Sequence, residues 1–289
     1  MNISMRPGQP QDLRECGRIC YAAFAAIAKA HNFKPDLPEV AVGEGLVGMM
    51  LAHPGFFGVV AEQGGKIVGS NFLDERNSIS GVGPITIDPE VQNAGIGGEL
   101  MRAVLQRSTA RGFAGMRLVQ AGYHARSLSL YLKLGFNARE HLSCVQGRAI
   151  NAPIDGYPVR PVTDAAGGAD LAACNELCER VHGHTRAGEV RDAISHGTAR
   201  VVERGGRITG YTTGIAFFGH TIGETTDDLK ALISAARSID GPGFLAPSCN
   251  GELLRWCFSQ GLRITQSMTL MSMGLYNEPA GAYLCSVTY

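Results

Sequence analysis

The 289-residue sequence predicts an α+β chain of two like domains in tandem, each a central mixed β-sheet flanked by helices. Three internal matches, falling in the same order, carry that prediction. Arg6-Pro7 is followed by Asp12-Leu13-x-x-Cys16-x-x-x-Cys20, and Arg160-Pro161 by Asp170-Leu171-x-x-Cys174-x-x-x-Cys178. Glu62-Gln63-Gly64-Gly65-Lys66-Ile67-Val68-Gly69 is echoed by Glu203-Arg204-Gly205-Gly206-Arg207-Ile208-Thr209-Gly210. Each reads as a strand, a Gly-Gly hairpin turn and a second strand. Leu134-Gly135-Phe136 and Gln260-Gly261-Leu262 each close a helix-like segment. The period is too long for a solenoid, so two copies of one globular fold is the reading.

In the first copy a strand is expected near residues 3–6, helical chain over 9–30 and a hairpin over 56–74. A β-branched strand over 82–87 follows, then a helix over 95–111 whose Leu100, Met101, Val104 and Leu105 share an apolar face. A strand at 116–121, a helix at 125–134 and a final strand pair at 136–146 complete it. The seam lies near residues 147–158, where Asn151-Ala152-Pro153-Ile154-Asp155-Gly156-Tyr157-Pro158 is rich in turn formers. The expected domains are therefore 1–148 and 158–289.

Zero formal net charge gives no sign of a nucleic-acid or anionic-membrane partner. No run of about 18 apolar residues is present, so no membrane span is expected. Met1-Asn2-Ile3-Ser4-Met5-Arg6-Pro7 lacks the layout of a signal peptide, which points to a cytoplasmic protein with reduced thiols. The Cys16/Cys20 and Cys174/Cys178 pairs have no second pair to complete a metal site. Buried packing is the better reading of them, and no metal is expected. His182-Gly183-His184 has metal-like spacing but no third ligand.

The stretch Gln92, Asn93, Ala94, Gly95, Ile96, Gly97 and Gly98 stands between the strand Ile85, Thr86 and Ile87, closed by Asp88-Pro89, and the amphipathic helix after it. A glycine-rich turn opening a helix offers unpaired backbone N–H groups at the positive end of the helix dipole. Those groups seat a phosphate or pyrophosphate.

Gln92-x-x-Gly95-x-Gly97, the strand before it, and the later Tyr131-x-x-x-Gly135-Phe136 together resemble the GNAT superfamily of acyl-CoA-dependent N-acetyltransferases, over about residues 3–146. The resemblance implies acetyl-CoA as cosubstrate, with its pyrophosphate on the 92–98 loop and its pantetheine arm along residues 85–87. It implies Tyr131 as general acid to the CoA thiolate, and places His124 where many members carry a cofactor-contacting Asn. The family's base is often a glutamate on the strand over 80–87, which holds no carboxylate here. Asp74 and Glu75 are the nearest acids in sequence. Tyr123, His124 and a water relay stay open beside them.

The second copy reads Phe218-Gly219-His220-Thr221-Ile222-Gly223-Glu224-Thr225-Thr226-Asp227-Asp228 where the loop should be, with three acids that would repel a pyrophosphate. Asn250 falls opposite His124 and Cys257 opposite Tyr131. This copy is expected to be non-catalytic and to shape the substrate cleft, bury surface or form a homodimer. The leading functional expectation is acetyl transfer to a primary amine of a small molecule, held by residues 28–50, Asp74, Glu75 and the second copy. The alternative is an acyl-CoA-binding sensor without turnover.

Overall fold

The computed structural model describes residues 3–92, 95–162 and 168–288. The first half runs β1 (Ile3–Pro7), α1 (Leu13–Ala30), α2 (Val40–Ala52), β2 (Phe56–Gln63), β3 (Lys66–Asp74), β4 (Ser80–Val82) and β5 (Thr86–Ile87). It continues with α3 (Ile96–Ala110), β6 (Gly115–Ala121), α4 (Ala125–Lys133) and β7 (Asn137–Gln146). The second half opens with β8 (Val159–Pro161), α5 (Ala169–His182), α6 (Ala187–Ser195), β9 (Arg200–Arg204), β10 (Arg207–Thr212) and β11 (Thr221–Gly223). Then come α7 (Thr226–Ser234), β12 (Phe244–Pro247), α8 (Gly251–Ser259), β13 (Arg263–Gly274) and β14 (Ala282–Leu284).

The repeated residues make the same local construction twice. Arg6 bonds Asp12 at 2.7 Å and Glu62 at 2.8 Å, tying β1, the start of α1 and β2 together. Arg160 does the same with Asp170 at 2.6 Å and Glu203 at 2.7 Å. Cys16, Cys20, Cys174 and Cys178 are fully buried free thiols packed on the sheets below.

The sheets depart from the sequence expectation in one respect. The long sheet has the order β1-β2-β3-β4-β6-β13-β7-β12, with β5 paired to β3, and a second sheet has the order β14-β11-β10-β9-β8. Residues 136–146 do not form a strand pair of their own. β7 is a single strand, and the strand between it and β6 is β13 of the second half: Met268 opposes Ala121 on one side and Leu142 on the other. In return β7 lies between β13 and β12, with Phe244 opposite Val145. Each half thus lends its last long strand to the other. The chain passes from one half to the other at residues 147–158, but the hydrogen-bonded sheet does not stop there.

α2 has no counterpart in the sequence expectation, and it carries Gly43, Gly45 and Gly48. Two glycines are the contact between α1 and α2. A Cβ on Gly17 would stand 2.6 Å from Glu44 Cα, and one on Gly43 would stand 2.8 Å from the Gly17 carbonyl oxygen.

The strand expected over 82–87 is broken in two. β4 pairs in parallel with β6 only at Ser80↔Met116 and Gly81↔Arg117. Beyond that the Gly83 N–H donates to the Phe72 carbonyl at 2.9 Å, Pro84 has no N–H to give, and β5 pairs with β3 through Gly69↔Ile87. The ladder to β6 ends at Gly81, and the two strands splay apart. Under the splay, Leu100, Met101 and Val104 of α3 pack with Leu73, Val82 and Leu118 in one buried cluster.

Candidate active site

A cavity of about 1180 Å³ occupies the splay. Ile85, Thr86 and Ile87 line one side, and Val119, Gln120 and Ala121 of β6 line the other. α1 and α2 contribute apolar side chains, among them Phe24, Ile27, Val42 and Leu46. The second half contributes Phe217, Phe218 and Asp240, and the chain's last described residues, Val287 and Thr288, also face in. The close fit at the base of the splay is visible at Gly81, where a Cβ would stand 2.1 Å from the Thr288 carbonyl oxygen.

Gln92, Gly95, Ile96, Gly97 and Gly98 line the same cavity. Gly95 has φ 79°, in the left-handed region that favours glycine, and its carbonyl accepts from Gly98 N–H at 3.0 Å and Glu99 N–H at 3.3 Å. The first amides of a helix have no intrahelical acceptor, and here those of Ile96 and Gly97 stand at the cavity. α3 fits closely on its neighbours: a Cβ on Gly97 would be 3.1 Å from Ile87 Cδ1 and 3.6 Å from Leu130 Cδ2. Gln92 spans this corner, its Nε2 donating to the Ile87 carbonyl at 3.5 Å and its Oε1 accepting from Arg126 at 3.3 Å. Arg126 and Lys133 line the cavity as well and add positive charge to the helix start. Asn93 and Ala94 lie outside the described residues.

Tyr131 is a buried lining residue of α4, its ring edge-on to Phe136 at 6.2 Å. Burial pushes its phenol well above the ordinary tyrosine range, so it carries its proton at neutral pH. His124 lines the cavity just before α4 and makes no side-chain cap to that helix. Burial, with Arg126 and His31 nearby, lowers its pKa and keeps the imidazole neutral.

Residues 25–136 match the sequence profile of the acetyltransferase (GNAT) family. This stretch is a GNAT domain. No protein of curated function matches the chain. Among solved structures, a protein from Pyrococcus horikoshii classed as an acetyltransferase superposes with a TM-score of 0.73 at 17% identity, covering 97% of this chain and 94% of its own. A GCN5-related N-acetyltransferase from Sphaerobacter thermophilus gives a TM-score of 0.61 at 14% identity, with 96% of each chain covered. At such identities the likeness is one of fold, and it extends over both halves.

Two acids expected at the GNAT site are not there. Asp74 is buried and bonded to Arg76 at 2.6 Å, and Glu75 to Arg107 at 2.7 Å; neither lines the cavity. The antiparallel register explains it, since Asp74 falls opposite Gly81, below the point where the strands part. Asp74 instead aims Arg76 across to Asp192 of α6, 2.8 Å away, in a contact between the halves. Two acids among the described residues do line the cavity: Asp240, which is exposed, and Asp36, in the chain between α1 and α2. Its Oδ1 accepts from Gln266 Nε2 on β13 at 2.8 Å. Nothing local in the sequence marks Asp36, because its partner is 230 residues away.

In the second half the helix matching α3 begins differently. Thr225 caps α7, its hydroxyl accepting from Asp228 N–H while the Asp228 carboxylate accepts from Thr225 N–H, and Asp228 also bonds Arg204 at 3.0 Å. Asn250 caps α8 through Leu253 N–H, and Cys257 is buried in the core. The helix ends that make a site in the GNAT domain are closed by side-chain caps here.

Proposed function

We propose that the chain transfers the acetyl group of acetyl-CoA to a primary amine of a small molecule, by direct attack, at one site in the GNAT domain. The observation that carries this is one continuous cavity that takes in both the Gly95–Gly97 helix start and the buried Tyr131. The pyrophosphate would sit on the Ile96 and Gly97 amides with Arg126 and Lys133 beside it. The pantetheine amides would pair with the strand edge that the splay leaves open between Gly81 and Thr86. The volume exceeds that of a typical single-ligand pocket, which reaches about 1,000 Å³, and so has room for an acceptor beside the acyl group.

The thioester is already activated, so holding it beside a neutral amine supplies much of the rate. The amine nitrogen attacks the carbonyl carbon, the carbon–nitrogen bond forms and the carbon–sulfur bond breaks. The leaving thiolate takes the Tyr131 proton, and the proton that the attacking nitrogen must shed to become an amide restores the phenol. The second half serves this site through Phe217, Phe218 and β13 and has no site of its own in this reading.

The test is release of free thiol from acetyl-CoA in the presence of a panel of amines, with the N-acetyl product identified by mass. Acceptor-dependent release is the expected result. Binding of acetyl-CoA by calorimetry without release above background for any amine would replace the enzyme with a sensor.

A further inference from the structure

Buried carboxylates in this protein come with a cation. Asp12 has Arg6, Asp74 has Arg76, Asp170 has Arg160, Glu189 has Arg186 and Asp228 has Arg204. Asp36, less buried than these but set in the cavity wall, differs. Its Oδ1 takes the Gln266 amide, and no Lys, Arg or His ion pair reaches it among the described residues. The groups that face it are Tyr123 after β6, Cys144 on β7 and Gln266 on β13, none of them positive. Tyr123 stacks on Phe33 with ring centroids 4.2 Å apart and meets His31 edge-on at 5.2 Å. A withdrawn carboxylate without a counter-charge costs stability unless something arrives to pair with it.

We infer that the missing cation is the substrate's own: Asp36 receives the ammonium group of the acceptor and takes its proton, and the acceptor is a monoamine on an apolar body. This rests on the transfer reading above and names its substrate class. The Tyr123 ring suits a cation held beside a carboxylate. Apolar residues line the same cavity, among them Ile27, Ala30, Leu37, Pro38, Pro242 and Met268. Asp240, the other carboxylate at the cavity, is exposed, so Asp36 is the one withdrawn carboxylate there among the described residues. It balances one positive charge, and polycationic acceptors would bring further ammonium groups against apolar walls. The step balances: one ammonium N–H proton passes to the Asp36 carboxylate, the nitrogen lone pair so freed forms the bond to the acetyl carbon, and the second proton that the nitrogen sheds as the carbon–sulfur bond breaks replaces the one Tyr131 gives to the thiolate. Burial raises the Asp36 carboxyl above the ordinary aspartate range, against the opposing Gln266 bond, which makes it a stronger base.

The experiment compares wild type and Asp36→Asn with phenethylamine, hexylamine, spermidine and an aminoglycoside, at pH 7 and pH 10, with acetyl-CoA affinity measured by calorimetry. The expected result is that the monoamines are preferred and that D36N loses about 100-fold or more in kcat/KM on them at pH 7. Acetyl-CoA affinity stays unchanged, which also shows the variant is folded. At pH 10 the gap narrows, since solution then supplies neutral amine at about its own pKa. D36N within threefold of wild type at pH 7, or a preference for spermidine, overturns the inference while leaving the acetyltransferase reading intact. Wild type that binds acetyl-CoA and acetylates no amine overturns the acetyltransferase reading and this inference with it.

Discussion

In the proposed reaction Tyr131 donates its proton late, to a thiolate that exists only once the carbon–sulfur bond is breaking. Removing its hydroxyl should therefore act on turnover and not on cofactor binding. Tyr131→Phe is expected to lower kcat by about 10²- to 10³-fold, with acetyl-CoA affinity by calorimetry near wild type; unchanged kcat would remove the acid role. A second residue-scale expectation concerns pH. Burial, then the nearby Arg186, holds His184 down at about 4. The unfolded chain takes up that proton from about 6.5 downward, the folded chain only near 4. The stability is thus fully present above pH 6.5 and is lost as pH falls towards 4. Burial would raise Glu189, but Arg186 and His220 outweigh it and hold the carboxyl at about 2, which extends the loss to lower pH. By scanning calorimetry Tm should fall steadily from pH 6.5 to 4, and His184→Gln should make that fall shallower. An identical slope would place the acid sensitivity elsewhere. That Tyr131 and Gly95 stand at one cavity is legible in the sequence because their signals are local in the chain. The place of Asp36 is not, because what puts it in the cavity wall is the fold and a partner on β13. Asp74 and Glu75 misled for a related reason: nearness in sequence to the splay does not give the register that sets which side of it they fall on.

At the scale of elements, most strands and helices of the GNAT domain followed from periodicity and turn residues, while α2 and the break between β4 and β5 did not. α2 shows why. Its glycines lower intrinsic helix preference, yet they let two backbones meet, and the tertiary contact outweighs the local cost. Gly17→Leu should force α1 and α2 apart at Glu44 and destabilise the fold by about 1–3 kcal/mol, read from urea unfolding. Because both helices line the cavity, KM for the amine should rise as well. A variant with wild-type stability would show that the helices can separate at no cost. The β4–β5 break was hidden for another reason. Residues 82–87 are β-branched and apolar enough for one strand, and only the pairing of β5 with β3 reveals that β6 has been left behind.

At the scale of the molecule, the duplication was readable from repeated motifs, but the exchange of strands was not. β7 and β13 have strand-like sequences wherever they are placed, and no residue in either declares which half it will join. The exchange predicts that residues 1–150 expressed alone lack the strand between β6 and β7 and leave two open edges and an uncovered apolar face. That fragment should be insoluble or loosely packed. Co-expressed with residues 151–289, it should yield a soluble pair by gel filtration. A monomeric, cooperatively unfolding 1–150 fragment would contradict this.

The exchanged strands also bear on the history of the chain. In the proposed reading the second copy carries no chemistry, and such a copy is ordinarily free to be deleted. Here the copy with capped helix ends holds the strand that completes the other's sheet, and it holds the residue that steadies Asp36. Mutations could erase the second site one residue at a time, yet no deletion of that half would leave the first intact. Lending a strand acts as a ratchet, under which the two copies can diverge without limit in function but can no longer be parted.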